Sequence, residues 1–154
     1  MSPATRPCGR PGPGDRCIDL GSSPGGWTWV LASLGAEVVS VDKADLDPRV
    51  LAMPGVSFLR SSAFGLEPSE LGRFDWWFSD VICYPRRLLR LVERWIASGA
   101  VAPRNLVCTI KFQGETDHEV VAAFAAIDGS VLTHLHHNRH ELTWVRLAAE
   151  SERC

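Results

Sequence analysis

The chain has 154 residues and little lysine: two lysines stand against fourteen arginines. In a chain this rich in arginine, arginine is expected wherever only a positive charge is needed. A lysine in such a chain therefore favours a role that uses its removable proton. Lys111 is therefore a candidate for proton chemistry. Long apolar runs are also absent, because no stretch approaches the roughly 18 residues that cross a bilayer. Residues 1–15 have no apolar core of the kind found in signal peptides, so we expect a cytoplasmic protein without a membrane partner.

Disulfide and metal-binding patterns are missing as well. The five cysteines form no C-x-x-C pair, which favours reduced thiols over a disulfide framework or a zinc site. Four histidines occur close together, namely His134, His136, His137 and His140. Neighbours on a strand alternate between its faces, and the one-turn spacing of metal ligands is absent, so we expect no bound metal.

Length and composition indicate one folded domain. Hydrophobic residues make up 45% of the chain and charged residues 22%, which are ordinary globular values. Residues 1–14 are rich in proline, glycine and arginine and are predicted to be an unpacked lead-in. The folded domain is predicted to span residues 15–150 and to be monomeric.

Apolar segments alternate with helical patterns along the domain. Strands separated by helical crossovers form a parallel sheet, so the predicted fold is α/β and Rossmann-like. "SVLTHLHHN" and "LTWVRLA" are predicted to add a C-terminal antiparallel hairpin with a connection of about three or four residues. The strands of the parallel part are predicted at about 17–21, 38–42, 56–60, 75–81 and 105–112.

The segment "DLGSSPGGW" at residues 19–27 lies between a predicted strand and a predicted helix, as nucleotide-binding turns do. A dinucleotide-binding turn needs glycine where Ser23 stands, and a P-loop needs lysine where Trp27 stands. The turn therefore suits a nucleoside without a phosphate chain, such as S-adenosylmethionine (SAM).

Two aspartates and three glycines are candidates to contact SAM. Asp19 could hold its ammonium group, directly or through water. Asp42, at the end of the second predicted strand, suits the ribose hydroxyls, and its alternative role is to cap a turn. Small residues let the backbone approach the amino-acid tail of SAM, and here these are Gly21, Gly25 and Gly26.

The same motif resembles a known family. "DLGSSPGGW" is similar to the SAM loop D-L-G-x-x-P-G-G-[WF] of the FtsJ-like ribose 2′-O-methyltransferases, and the resemblance covers residues 17–147 or so. "SVD", "FLRSSAFGLEP", "FDWWFSDVICYP", "LVERWIASG" and "CTIKF" follow in the order found in the branch that methylates a cytidine ribose in bacterial large-subunit (23S) ribosomal RNA. The resemblance implies a SAM-dependent methyltransferase fold, with SAM as cofactor and RNA as partner. The SAM site that it implies contains Asp19, Gly21, Ser23, Pro24, Gly25, Gly26, Trp27, Asp42, Ser62, Ala63, Phe64 and Asp80.

Family members carry a Lys-Asp-Lys-Glu catalytic tetrad, and the resemblance assigns three of its positions. These are Asp80 in "FSDV", Lys111 in "TIKF" and Glu141 in "HELTWV". The first lysine belongs to a helix upstream of the loop, and no lysine precedes Cys17. An amine in reach of a ribose hydroxyl can orient it and accept its proton, while flanking carboxylates position the amine.

Each of the three residues has a structural alternative. Lys111 could be a surface cation at a strand end, and Asp80 could cap the helix that follows it. Glu141 could be the cross-strand partner of Arg139 or Arg146.

The segment 84–104 contains five arginines and one glutamate. Arg86, Arg87 and Arg90 are predicted to bind RNA phosphates, and a solvated helix face is the alternative. We expect methyl transfer from SAM to a ribose 2′-hydroxyl of RNA, with large-subunit ribosomal RNA as the substrate. A small-molecule O-methyltransferase and a non-catalytic SAM- or RNA-binding module are the alternative functions.

Overall fold

Strands and helices alternate through most of the chain in a computed structural model, which describes residues 9–135 and 140–149. The strands within these ranges are β1 (Arg16–Leu20), β2 (Glu37–Asp42), β3 (Val56–Arg60), β4 (Trp76–Ser79), β5 (Asn105–Lys111), β6 (Ser130–Thr133) and β7 (Glu141–Arg146). The helices are α1 (Gly26–Ser33), α2 (Pro48–Leu51), α3 (Pro68–Leu71), α4 (Pro85–Ile96) and α5 (His118–Ala125). Short 3₁₀ turns cover Ala63–Gly65 and Gly99–Val101.

The strands form one sheet in the order β3-β2-β1-β4-β5-β7-β6. β1 to β5 pair in parallel, whereas β7 pairs antiparallel with β5 on one side and with β6 on the other. β1 lies between β2 and β4, so the strand order reverses there and a crevice opens at the carboxyl ends of the strands. The predicted α/β sheet with its antiparallel hairpin is confirmed.

The connection between β6 and β7 is longer than predicted. β6 ends at Thr133 and β7 begins at Glu141, so residues 134–140 lie between the two strands. The prediction of three or four residues was wrong because β6 ends at Thr133, well before the end of the predicted segment "SVLTHLHHN". Residues 136–139, which include His136 and His137, lie outside the described part of the chain.

Most of the core lies between the sheet and helices α4 and α5. α4 buries Leu88, Leu91, Val92 and Trp95 on one side, and the Trp95 ring lies 6.3 Å from the ring of Trp77 on β4. A smaller cluster on the opposite face packs α1 against the sheet. Because helices cover both faces, the central strands are apolar on both sides. Packing also extends upstream of the predicted boundary at residue 15, since Gly12 is buried and its N–H donates to Asp15 Oδ2 at 2.9 Å.

Candidate functional site

A cleft of about 430 Å³ opens at the carboxyl ends of β1, β2, β4 and β5. This is the edge at which open α/β sheets bind their ligands. Nine of the predicted site residues line it, namely Gly21, Ser23, Asp42, Ser62, Ala63, Phe64, Asp80, Arg87 and Lys111. The prediction missed four lining residues, which are Lys43, Ser61, Val81 and Ile82.

Gly21 lets the loop after β1 approach the loop after β4. Its φ is +74°, and a Cβ atom there would lie 3.0 Å from Val81 Cγ2 and 3.1 Å from Val81 Cα. The N–H groups of Gly21 and Ser22 both donate to the carbonyl of Val41, at 2.9 and 3.1 Å. The close approach that requires glycine is therefore an approach to backbone, at the floor of the cleft.

The second half of the glycine-rich motif lies elsewhere. Pro24, Gly25 and Gly26 line a separate hollow beside Trp29 and Val50. A Cβ atom on Gly25, whose φ is +123°, would lie 2.8 Å from Leu46 Cδ1. The structure therefore accounts for Gly25 by packing against Leu46 and Val50, and a contact with the tail of SAM stays a prediction.

Trp27 also points away from the main cleft. It packs edge-on against Phe78, with 6.0 Å between the ring centroids. Phe78 belongs to the smaller hydrophobic cluster, on the face of the sheet that α1 covers. Trp27 thus anchors the first turn of α1, and a contact with SAM stays a prediction.

Asp19 is buried beneath the cleft, with 1% of its surface exposed. Its Oδ2 accepts a hydrogen bond of 2.7 Å from Thr28 Oγ1, which lies 2.9 Å from Ser40 Oγ. The pKa of Asp19 is raised from 3.8 to about 7, chiefly by burial and in smaller part by the charges of Asp80 and Asp42, while the hydrogen bond from Thr28 opposes the shift. The structure accounts for Asp19 by this buried hydrogen bond, and a contact with the ammonium group of SAM, directly or through water, stays a prediction.

Asp42 has the turn-capping role considered for it, and its contact with the ribose of SAM stays a prediction. Its Oδ2 accepts from the N–H of Ser23 at 2.9 Å, and its Oδ1 accepts from the N–H of Ala44 at 2.9 Å. It therefore caps the turn after β2 and ties the loop after β1 to it. A carboxylate oxygen accepts more than one hydrogen bond, so Asp42 can still receive hydroxyl groups from the cleft that it lines.

The turn at residues 62–64 forms one wall of the cleft. Ser62 Oγ accepts from the N–H of Phe64 at 3.2 Å and so begins the 3₁₀ turn. The Arg87 guanidinium lies 3.7 Å from the centroid of the Phe64 ring, a cation–π contact. Arg87 is thus fixed at the cleft, while Ala63 and Phe64 provide its apolar surface.

Lys111 and Asp80 form an ion pair at the cleft. Lys111 Nζ donates to the main-chain oxygen of Asp80 at 2.8 Å and lies 2.9 Å from Asp80 Oδ1. Thr109 Oγ1 donates to the same Oδ1 atom. The prediction missed Thr109, although residues i and i+2 of a strand share a face and β5 places Thr109 beside Lys111. Tyr84, not Asp80, occupies the position that caps α4.

Glu141 lies opposite Lys111 in the antiparallel pairing of β7 with β5. Directly paired residues of such a ladder have side chains on the same face. Arg146 is instead paired with Leu106 and Ser130, and Arg139 lies outside the described residues. The structure therefore brings the three predicted catalytic residues together at one edge of the sheet.

The predicted RNA-binding arginines differ in their surroundings. Arg86 Nη2 donates to Glu119 at 2.9 Å, and Arg86 Nε lies 3.3 Å from Asp117, so two carboxylates of the α5 region already bind its charge. Arg87 lines the cleft, and Arg90 is exposed on α4. The phosphate-binding patch expected from the sequence is therefore best represented by Arg87 and Arg90.

Two further features are absent from the described ranges, 9–135 and 140–149. No helix there is long and apolar enough to cross a membrane. Within the same ranges, no group of three or more histidine, cysteine, aspartate or glutamate side chains is placed to hold a metal ion.

Sequence comparison gives matches over most of the chain. The family model described as FtsJ-like methyltransferase matches residues 8–133. Ribosomal RNA large subunit methyltransferase M of Halorhodospira halophila (strain DSM 244 / SL1) is 33% identical over 137 residues, which are 87% of this chain and 40% of that relative. The chain thus spans less than half the length of this relative.

Structural comparison gives proteins of the same fold. A Plasmodium falciparum protein described as a ribosomal RNA methyltransferase aligns with a TM-score of 0.62 and 14% identity over 90% of this chain and 88% of that chain. Magnesium protoporphyrin IX methyltransferase of Synechocystis PCC 6803, solved with bound SAM, aligns with a TM-score of 0.59 and 16% identity over 87% and 71%. At these identities the likeness shows the fold alone, a Rossmann-like methyltransferase fold.

Proposed function

The chain belongs to the FtsJ-like methyltransferase family, and from that membership we propose that it transfers a methyl group from SAM to a ribose 2′-hydroxyl of large-subunit ribosomal RNA. The observation that carries the proposal is the placement of Lys111, Asp80 and Glu141 together at the sheet edge. The name of the 33% identical relative supports the ribosomal substrate.

The cleft suits SAM in its size and in the chemistry of its lining. Its volume of about 430 Å³ is that of a small-molecule site. Asp42 would receive the ribose hydroxyls, and Ala63 and Phe64 would contact adenine. SAM carries a net positive charge, and the carboxyl groups of Asp42 and Asp80 line the cleft above the buried Asp19. When bound, SAM supplies an electrophilic methyl group.

Lys111 is the residue that acts on the substrate hydroxyl in this proposal. A ribose hydroxyl is a weak nucleophile and needs a group that orients it and accepts its proton. Asp80 fixes the position of Lys111 Nζ through two contacts, and Thr109 fixes the Asp80 carboxylate in turn. Glu141 supplies a second carboxylate on the same face. Asp80, Thr109 and Glu141 are thus positioning residues for Lys111.

RNA would approach over the amino-terminal part of α4. Arg87 lines the cleft and Arg90 is exposed on the same helix, so their charges can meet the phosphates that flank a target ribose. A ribosomal RNA substrate supports a cytoplasmic location. In this proposal the chain acts as a monomer.

The decisive experiment is methyl transfer from labelled SAM to ribosomal RNA that lacks the modification. We expect incorporation at a site that becomes resistant to alkali, because 2′-O-methylation removes the attacking hydroxyl. Lys111→Ala and Lys111→Arg should each lower the rate about 10²- to 10⁴-fold, since arginine keeps the charge but cannot accept the proton. Arg73→Ala, which removes an exposed charge just before β4, is the matched control and should keep the wild-type rate.

Three results would overturn the proposal. SAM binding without transfer to any RNA would indicate a non-catalytic module. Label at an alkali-sensitive position would indicate a different acceptor atom. An active Lys111→Arg variant would show that Lys111 acts through its charge and not as a base. Binding of SAM and of NAD, compared by calorimetry, checks the cofactor separately.

A further inference from the structure

The loop between β4 and α4 exposes two apolar side chains beside the cleft. Ile82 is 78% exposed and Tyr84 is 68% exposed, the largest exposed fractions among the large hydrophobic residues in the described ranges. Tyr84 is also the single tyrosine of the chain. Asp80, which binds Lys111, begins the same loop, and Ile82 lines the cleft.

The intervening residues of the loop point inward. Val81 packs against the core and lies against Gly21, and Cys83 is buried. Pro85 starts α4 and restricts the residue before it to an extended backbone, which Tyr84 adopts with φ −62° and ψ 141°. The loop is therefore held in place by every second residue, and the residues between them, Ile82 and Tyr84, face the solvent.

Two arginines follow this pair of side chains on α4. Arg87 lies three residues after Tyr84 with its guanidinium over the Phe64 ring, and Arg90 is exposed one turn further along α4. A ligand that complements an aromatic ring, an aliphatic side chain and guanidinium groups would have flat apolar groups connected by negatively charged groups. An unpaired stretch of RNA has this chemistry, since bases stack on aromatic side chains and phosphates bind arginine.

We propose that Ile82 and Tyr84 form the surface on which unpaired nucleobases next to the target ribose lie. Tyr84 stacks on one base, Ile82 contacts the neighbouring base at the mouth of the cleft, and Arg87 binds a phosphate between them. The proposal rests on the proposed RNA substrate. It adds that the substrate is single-stranded at the modified position, because only an unpaired base exposes its face to a side chain.

The test uses a fluorescein-labelled single-stranded RNA of about 12 nucleotides, with the expected target cytidine at its centre. Binding to the 154-residue chain is measured by fluorescence anisotropy. Tyr84→Ala should weaken binding roughly 5- to 100-fold, as expected for one lost base-stacking contact. Tyr84→Phe should keep the wild-type affinity, because it retains the ring. Ile82→Ala should show a smaller loss.

Two controls separate stacking from a loss of folding. Val131→Ala removes another exposed apolar side chain, 63% exposed, from β6 at the far edge of the sheet, and should bind RNA as the wild type does. Tyr84→Ala should bind SAM with unchanged affinity in calorimetry. A second set of RNAs carries one abasic site at each position in turn. At one RNA position, the abasic site should weaken binding to the wild type and leave binding to Tyr84→Ala unchanged.

The outcomes distinguish this inference from the proposed function. RNA methylation at the wild-type rate together with wild-type affinity in Tyr84→Ala would overturn the stacking surface alone. The stacking surface would also be overturned if the loss of affinity depended on the position of the abasic site in the same way for the wild type and for Tyr84→Ala. Absence of any RNA binding or methylation by the wild type would overturn the proposed function and the stacking surface with it.

Discussion

Lys111 Nζ contacts Asp80 twice, at the main-chain oxygen and at Oδ1, so one residue holds the amine through two atoms. Two contacts from one residue leave the amine little freedom to swing away from the cleft. A carboxylate that is itself free to rotate would weaken this arrangement. The position of Lys111 therefore depends on what holds Asp80.

Thr109 is expected to be a positioning residue for catalysis. Thr109→Val keeps the shape of the side chain but removes the hydroxyl that donates to Asp80 Oδ1. One lost hydrogen bond of about 1 kcal/mol should lower the methylation rate about 5-fold while SAM affinity stays unchanged. Thr109→Ser, which keeps the donor, should retain the rate. Equal rates for the valine and serine variants in single-turnover assays would contradict this role.

Gly25 is expected to matter for folding. Gly25→Ala places a Cβ atom 2.8 Å from Leu46 Cδ1 at a φ of +123°, so the free energy of unfolding should fall by about 1–3 kcal/mol. Gly26→Ala is the matched control, because a Cβ atom there has nothing within 4 Å. It should leave stability unchanged or raise it by up to about 1 kcal/mol. Urea denaturation compares the two variants, and similar midpoints would refute the packing argument.

Asp19 should make stability depend on pH. Burial raises its pKa from 3.8 to about 7 in the folded chain. Between these values the folded chain binds a proton that the unfolded chain has released. The free energy of unfolding should therefore fall as pH rises from about 4 to about 7. Above about pH 7, Asp19 should cause no further change in it with pH. Asp19→Asn should lose this part of the slope. Parallel pH profiles of the two proteins in denaturation experiments would exclude the effect.

Arg87 and Arg90 should contribute more to RNA binding than Arg86. Removing both, as Arg87→Ala with Arg90→Ala, should weaken RNA binding and reduce the slope of log affinity against log salt by about 0.7 per lost phosphate contact. Arg86→Ala should change the RNA affinity and the salt slope much less, because Glu119 and Asp117 already bind the Arg86 guanidinium. SAM affinity of the Arg90→Ala single variant serves as the folding control. Equal losses from Arg86→Ala and Arg90→Ala would show that the carboxylates do not mask Arg86.

The convergence of Asp42, Asp80 and Lys111 was predictable because each follows or ends a parallel strand. The carboxyl ends of such strands share one edge of the sheet, so the period of the apolar segments was sufficient to place these residues together. The pairing of Glu141 with Lys111 required one more fact, the insertion of β7 beside β5. The resemblance of the motifs to a family supplied the role of Glu141.

Other residues of the motif could not be placed from the sequence, because their surroundings come from distant segments. Leu46 and Val50 fill the space that a side chain at residue 25 would need, and the contact with Phe78 orients the Trp27 ring. In the same way, Asp117 and Glu119 on a later helix region decide that Arg86 is paired. Local pattern indicates which backbone shape a loop has, whereas the neighbours of each side chain follow from tertiary packing.

The position of β7 affects the order in which the site can form during synthesis. β7 is the last strand of the described chain to leave the ribosome, yet it occupies an interior place in the sheet, between β5 and β6. All thirteen residues that line the cleft precede it, the last of them being Lys111. A nascent chain that has emerged as far as β5 therefore has every cleft residue, but β5 still has an unpaired edge and Lys111 lacks Glu141. The residues of the cleft are therefore all synthesised before Glu141, the last residue of the proposed catalytic group.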